Sequence, residues 1–247
     1  MFNLCFVGEQ DEGRHTPYAT WTLVALNVVA FAAMLLSDMD RGAWIDAYGL
    51  TPAHPGASQF LTGNFVHAGW LHLICNMVFL LIFGDNVEDV LGPLAFLGLY
   101  FLGGLAGDTV FVIANPDMAI PSVGASGCIA TIAGAYGAMF WNRAIDVDLC
   151  WEGFGFEVAL PAIVVMVFWF GFDVWLTTSG LGVLKGSGGI NYVAHGVGFI
   201  VGFVAGLVLL WTGAVRRYWT YRNGHHPLFG YLLSVPDESP KARVRLR

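Results

Sequence analysis

Residues 191–213 read NYVAHGVGFIVGFVAGLVLLWTG, a run whose one basic residue is His195 and whose glycines at 198, 202 and 206 recur every fourth position after it. At about 1.5 Å rise per residue, some twenty mostly apolar residues cross a hydrocarbon core of roughly 30 Å. Glycines four apart share one helical face and let a second backbone come close. The stretch therefore predicts a membrane-spanning helix packed tightly on a neighbour, with a histidine near its start on nearly the face that makes the contact.

Five further windows have the same character, at about 18–36, 66–83, 91–113, 123–141 and 158–176. They predict an all-α, polytopic membrane protein built as a six-transmembrane-helix bundle. Composition agrees, because 56% of the 247 residues are hydrophobic and 12% charged, against roughly 45–50% and 25% in soluble domains. The expected organisation is an N-terminal tail at 1–17, a membrane domain at 18–213 and a basic C-terminal tail at 214–247. The tail carries Pro227, Pro236 and Pro240 among charges and reads as largely disordered from about 224. The first 19 residues hold Glu9, Asp11, Glu12, Arg14 and His15, which does not fit a cleaved signal peptide.

An even number of spans puts both termini on one side. With that side cytoplasmic, Arg14, Arg143, Arg216, Arg217, Arg222, Lys241, Arg243, Arg245 and Arg247 are inside, and only Arg41 and Lys185 are outside. This is the positive-inside bias. Residues 37–65 then form a long outer loop with Trp44, Tyr48, Phe60 and Phe65 suited to the interface, and 84–90 a tight acidic inner turn. The net charge of −7 comes from scattered carboxylates with no basic patch, which excludes a nucleic-acid partner. Cys5, Cys75, Cys128 and Cys150 have neither disulfide nor zinc spacing, and no metal or cofactor is expected.

Polar groups are expensive to place inside a membrane, so each is a candidate for function. Four stand out: His72, Asn76, Ser126 and His195. His72 and Asn76 lie four apart on the second span and share a face. Ser126 and His195 sit near the starts of the fourth and sixth spans, which run in the same direction as the second. All four converge on one depth near the outer surface. Ser126 lies in Gly124-Ala125-Ser126-Gly127, followed by Gly134 and Gly137, so the serine and histidine helices can approach. A hydroxyl beside an imidazole forms a serine-histidine dyad, in which the histidine takes the proton as attack begins. The Asn76 amide, the His72 imidazole and the Ser126 backbone N–H are donors of the type an oxyanion needs. Asp108 and Asp173 fall near outer helix ends without spacing that demands a triad, and Glu88 reads as an anchor of the inner turn. His67, five residues before His72, falls off its helical face and reads as an interfacial histidine.

The segment Leu61-Thr62-Gly63-Asn64-Phe65-Val66-His67, followed by Leu71-His72-Leu73 and Asn76-Met77, resembles the second-helix signature of rhomboid intramembrane proteases. Pro121-Ser122-Val123-Gly124-Ala125-Ser126-Gly127 resembles the serine motif of that family, and Ala194-His195 with Gly198 and Gly202 its histidine helix. Gly84, Glu88 and Gly92 resemble the turn between. The blocks stand in family order over about residues 45–206. The resemblance implies Ser126 as nucleophile, His195 as general base, and His72 and Asn76 as oxyanion donors. It implies transmembrane proteins as substrates, cut in or next to their helices, and entry past the aromatic fifth span at Phe168, Trp169, Phe170 and Phe172.

The chain also departs from the family pattern. Ala130 stands one turn after the serine, where the family often has an aromatic stacked on the histidine; Tyr192 and Phe199 are the rings available to replace it. Cys128 stands where a small residue is common, which also rules out a nucleophile elbow. Arg41 and Trp44 are three apart and form no Trp-Arg pair. A metalloprotease is disfavoured by the lack of an H-E-x-x-H pair, and a transporter by the lack of inverted repeats. The competing reading is a catalytically inactive relative that binds membrane helices without cutting them.

Overall fold

The computed structural model describes residues 2–9, 16–141, 143–151, 154–168, 171, 191–215 and 244–246. Its long helices are α1 (Tyr18–Leu36), α4 (Trp70–Leu91), α5 (Pro93–Ala114), α6 (Ser126–Met139) and α7 (Tyr192–Trp211). Short helices α2 (Arg41–Tyr48) and α3 (Gln59–Thr62) lie between α1 and α4. Four of these, α1, α4, α5 and α7, are long and apolar enough to cross a membrane. They match the expected first, second, third and sixth spans. Each presents bare apolar side chains outward, among them Leu36, Leu71, Leu94, Ile113 and Trp211, as a lipid solvent requires.

The fourth expected span is different. Helix α6 has 14 residues, about 21 Å of rise, too short to cross the hydrocarbon core alone. Its start is delayed because the chain ahead of it is paired at Ser122: Leu50 N–H donates to the Ser122 carbonyl and Ser122 N–H to the Leu50 carbonyl, both at 2.9 Å. Gly124 N–H is then taken by the Gly63 carbonyl at 2.9 Å. Every residue from Gly127 to Met139 is buried. Enclosed by other helices, α6 needs no lipid-matched length.

The expectation of an all-α chain is corrected by a four-stranded antiparallel sheet in the order β1-β2-β3-β4. It is made of Phe2–Glu9, Ala144–Trp151, Phe154–Pro161 and Val244–Leu246. The physical reason is legible: Ile145, Val147 and Leu149 alternate with Asp146 and Asp148, and Phe154, Phe156, Val158 and Leu160 with Gly155, Glu157 and Ala159. Period two is the strand signature. The expected fifth span therefore loses residues 158–161 to β3, and helix covers 162–168. Trp169, Phe170, Phe172, Asp173 and Lys185 lie outside the described residues. The expected N-terminal tail contributes β1 and the expected disordered tail contributes β4; Cys5 and Cys150 fall in β1 and β2.

The outer loop carries capping and ring contacts of its own. Asp40 Oδ1 caps α2 by accepting from Gly42 N at 2.7 Å and Ala43 N at 3.2 Å. Arg41 reaches the Ala68 carbonyl at 3.4 Å, and the Trp44 and Tyr48 rings lie 4.8 Å apart.

Contacts fix the relative direction of the helices. The buried Glu88 carboxylate, near the end of α4, accepts from Ala19 N, Thr20 N and Thr20 Oγ1 at 2.8–2.9 Å, so it caps the start of α1. A carboxylate there also meets the positive end of the helix dipole. Gly92, at φ 75, closes the turn into α5. The starts of α4, α6 and α7 thus gather at the opposite end of the bundle. Between them, Gly198, Gly202 and Gly206 of α7 lie against the backbone of Gly127, Thr131 and Ala135 on α6. A side chain at any of them would strike a carbonyl. The core below is filled by Leu80, Phe83, Phe96, Tyr100, Ile132 and Tyr136.

Candidate active site

Ser126 is the first residue of α6 and His195 lies in the first turn of α7. Close glycine packing of the two helices sets the gap between them: in the Nδ1–H tautomer, the Ser126 hydroxyl donates to His195 Nε2 over 2.6 Å. His195 is buried, and Ser126 partly exposed. The neighbouring interhelical face is lined by Thr131, whose hydroxyl returns to the Gly127 carbonyl at 3.1 Å.

His72 and Asn76, one turn apart at the start of α4, meet the same spot from the other side. Asn76 Nδ2 donates to the His72 carbonyl at 2.9 Å. Gly124 explains their relation to the serine. Its φ of +116° belongs to the left-handed region that favours glycine, and a Cβ there would lie 2.6 Å from His72 Nε2 and 3.8 Å from Asn76 Nδ2. The backbone two residues before Ser126 therefore rests directly on the His72 ring. The structure brings all four sequence-singled residues into one cluster. Chemically, the cluster offers a hydroxyl hydrogen-bonded to a base, with imidazole and amide donors alongside.

One placement differs from the sequence reading. His67, expected to be interfacial and off the helical face of His72, precedes the helix altogether, because α4 begins at Trp70 after an extended Gly69. Helical spacing thus does not apply, and the chain folds back to set the His67 ring edge-on against His72, centroids 5.0 Å apart. His67 is fully buried, and neither ring nitrogen has a hydrogen-bond partner among the described residues. Burial, then the neighbouring His72, pushes its imidazole down to about 4, with the Phe65 backbone opposing. Cys128, standing where the family pattern has a small residue, donates its thiol to Asn64 Oδ1 at 3.3 Å. Asp108 on α5 interacts with the same Asn64.

With Ala130 in place of an aromatic, the ring nearest in role is Tyr192, set edge-on to His195 at 5.9 Å and 81°. Phe199 instead stacks on Phe203. One further residue escaped the sequence reading. Asn191 caps α7, its Oδ1 accepting from Ala194 N at 2.9 Å, while its Nδ2 donates to Ser122 Oγ at 3.1 Å. An Asn immediately before an apolar run is a cap signal, so Asn191 was findable; its reach to Ser122 was not.

The family model of the rhomboid domain matches residues 54–212, well over half of the chain and all of the clustered residues. The chain belongs to the rhomboid family. It is accordingly an integral membrane protein of a family whose members are generally intramembrane proteases. Among curated relatives, RHOMBOID-like protein 5 of Arabidopsis thaliana is 29% identical over 168 residues, 68% of this chain and 47% of that protein. Rhomboid-related protein 3 of Homo sapiens is 31% identical over 156 residues, 62% of this chain and 36% of that one. Rhomboid-like protease 5 of Toxoplasma gondii is 27% identical over 167 residues, 63% and 17% respectively. The rhomboid chain described here thus spans about half the length, or less, of these relatives. Strand β1 and helices α1 and α2 precede the matched region.

Proposed function

We propose that this rhomboid is an intramembrane serine endopeptidase that hydrolyses peptide bonds in or beside transmembrane helices through a Ser126–His195 dyad. The observation that carries the reading is the 2.6 Å contact between Ser126 Oγ and His195 Nε2 at the starts of two tightly packed helices. As Ser126 Oγ bonds to the substrate carbonyl carbon, its proton passes to His195 Nε2. The carbonyl oxygen, now negative, is met by the Asn76 amide, the His72 imidazole and the Ser126 N–H. Collapse of the tetrahedral adduct breaks the C–N bond, and His195 returns its proton to the departing amine. Water, deprotonated by the same histidine, then releases the acyl group from Ser126.

A helical peptide bond is shielded and already hydrogen-bonded, so the substrate must unwind locally at the cut. Substrates with small or helix-weakening residues near their outer ends fit this requirement. The membrane domain in this reading is residues 18–213, with both termini cytoplasmic and the site facing outward. Pairing of β1 with the hairpin and of the hairpin with β4 supports a shared side for the two ends.

The test is cleavage of a single-span substrate by the purified protein in liposomes, beside Ser126→Ala and His195→Ala. Cleavage by wild type that is abolished in both variants is the expected result. No cleavage by folded wild type across several substrates favours a helix-binding, non-cleaving rhomboid, and full activity of Ser126→Ala overturns the mechanism.

A further inference from the structure

We propose that Asn191 is a positioning residue whose side chain sets the separation of Ser126 and His195 by tying the segment ahead of the serine to the first turn of the histidine helix. The inference rests on the dyad reading above and concerns what holds the dyad at bonding distance.

Asn191 and Ser122 are both buried. Asn191 Nδ2 donates to Ser122 Oγ at 3.1 Å, Asn191 Oδ1 accepts from Ala194 N at 2.9 Å, and the Asn191 carbonyl accepts from His195 N at 3.1 Å. Ser122 and Asn191 are 69 residues apart in sequence, as are Ser126 and His195. The dyad is therefore the second of two cross-links between the same two segments, four residues further along each. Ser122 is itself immobilised, since both its backbone groups pair with Leu50 at 2.9 Å. From that fixed point, one amide reaches the turn that carries His195.

Capping alone does not account for the residue. A cap needs only an acceptor, and serine supplies one about as well as asparagine. The amide differs in carrying a donor beside its acceptor, and here that donor is spent on Ser122. Misplacement of reacting groups by about 1 Å lowers rates by as much as 10²-fold, so a tie of this kind acts on the chemical step and leaves substrate binding alone.

Two substitutions separate the roles. Asn191→Ser keeps a capping oxygen but is one bond shorter and loses the N–H donor. Ser122→Ala leaves the cap intact and removes the acceptor. Each is expected to lower kcat about tenfold with KM within about twofold of wild type, and the double variant to fall no further than either single, because both break the same tie. The ¹⁵N shift of His195 Nε2, which reads the hydrogen bond from Ser126 whether or not the protein cleaves, is expected to move in both variants toward its value in Ser126→Ala. Wild-type kcat in Asn191→Ser, or single effects that multiply in the double variant, would overturn the proposal. Should wild type prove inactive, the dyad reading fails, and the nitrogen shift alone decides: a move in Asn191→Ser sustains the positioning role, and an unchanged shift ends it.

Discussion

Three of the groups that meet His195 have sequence positions that explain them differently. Ser126 bonds its Nε2, the Asn191 carbonyl takes its backbone N–H, and the Tyr192 ring stands edge-on to its imidazole. In Tyr192 the restraint comes from the histidine's own helix. Aromatic pairs of this geometry contribute about 0.5–1.5 kcal/mol, so Tyr192→Ala should lower kcat about two- to tenfold in the cleavage assay while Tyr192→Phe retains most of it. His67 supports a different prediction. Its imidazole, outside the spanning helix, titrates at about 4 in the folded state against 6.5 ordinarily. Between those values the unfolded chain binds the proton and the folded chain does not, so stability is full above pH 6.5 and falls as pH drops toward 4. The shift corresponds to a loss on the order of 3 kcal/mol at its limit. Unfolding in micelles at pH 7 and pH 4.5 should show a larger loss for wild type than for His67→Gln; equal losses would remove His67 as the source. At this scale the sequence was informative where chemistry is rare: a serine and a histidine in apolar runs are conspicuous. The contact of His67 with His72 and that of Asn191 with Ser122 were not, because they come from loop geometry and not from spacing.

Helix α6 shows how an element can be misread by length and still be placed correctly. The apolar window 123–141 was legible, but the backbone pairing of Ser122 with Leu50 and the φ of Gly124 shorten the helix to 14 residues. Neither follows from hydropathy. The glycine ridge was legible, and its energetics can be tested. At Gly202 a Cβ would collide with the Thr131 carbonyl, whereas at Gly98 on α5 nothing lies within 4 Å. Gly202→Val should therefore destabilise by about 1–3 kcal/mol or more, and Gly98→Ala should stabilise by about 0.5–1 kcal/mol through helix propensity. Denaturant unfolding in micelles measures both. Most of the β2–β3 hairpin fell between two expected spans, and only residues 158–161 were taken into one, because apolar strand residues raise a hydropathy average as a span does; their alternation is what distinguishes a strand.

At the scale of the molecule, a buried, glycine-rich α6 is surrounded by helices that carry the lipid-facing surface, and the polar cluster is confined to the end where α4, α6 and α7 begin. Glu88 fixes α1 to α4 at the other end. Within the cluster Ser126 is paired with His195 and Asn76 with the His72 carbonyl, which lowers the cost of placing such groups in a membrane protein. In the proposed mechanism Ser126 is a nucleophile activated by His195. The most direct measurement of this is mass spectrometry of the protein after treatment with a fluorophosphonate, which phosphonylates an activated serine with loss of fluoride. One adduct is expected, on Ser126 and absent in His195→Ala; an unmodified Ser126 in folded wild type, or an adduct that forms equally fast in His195→Ala, would rule the dyad out.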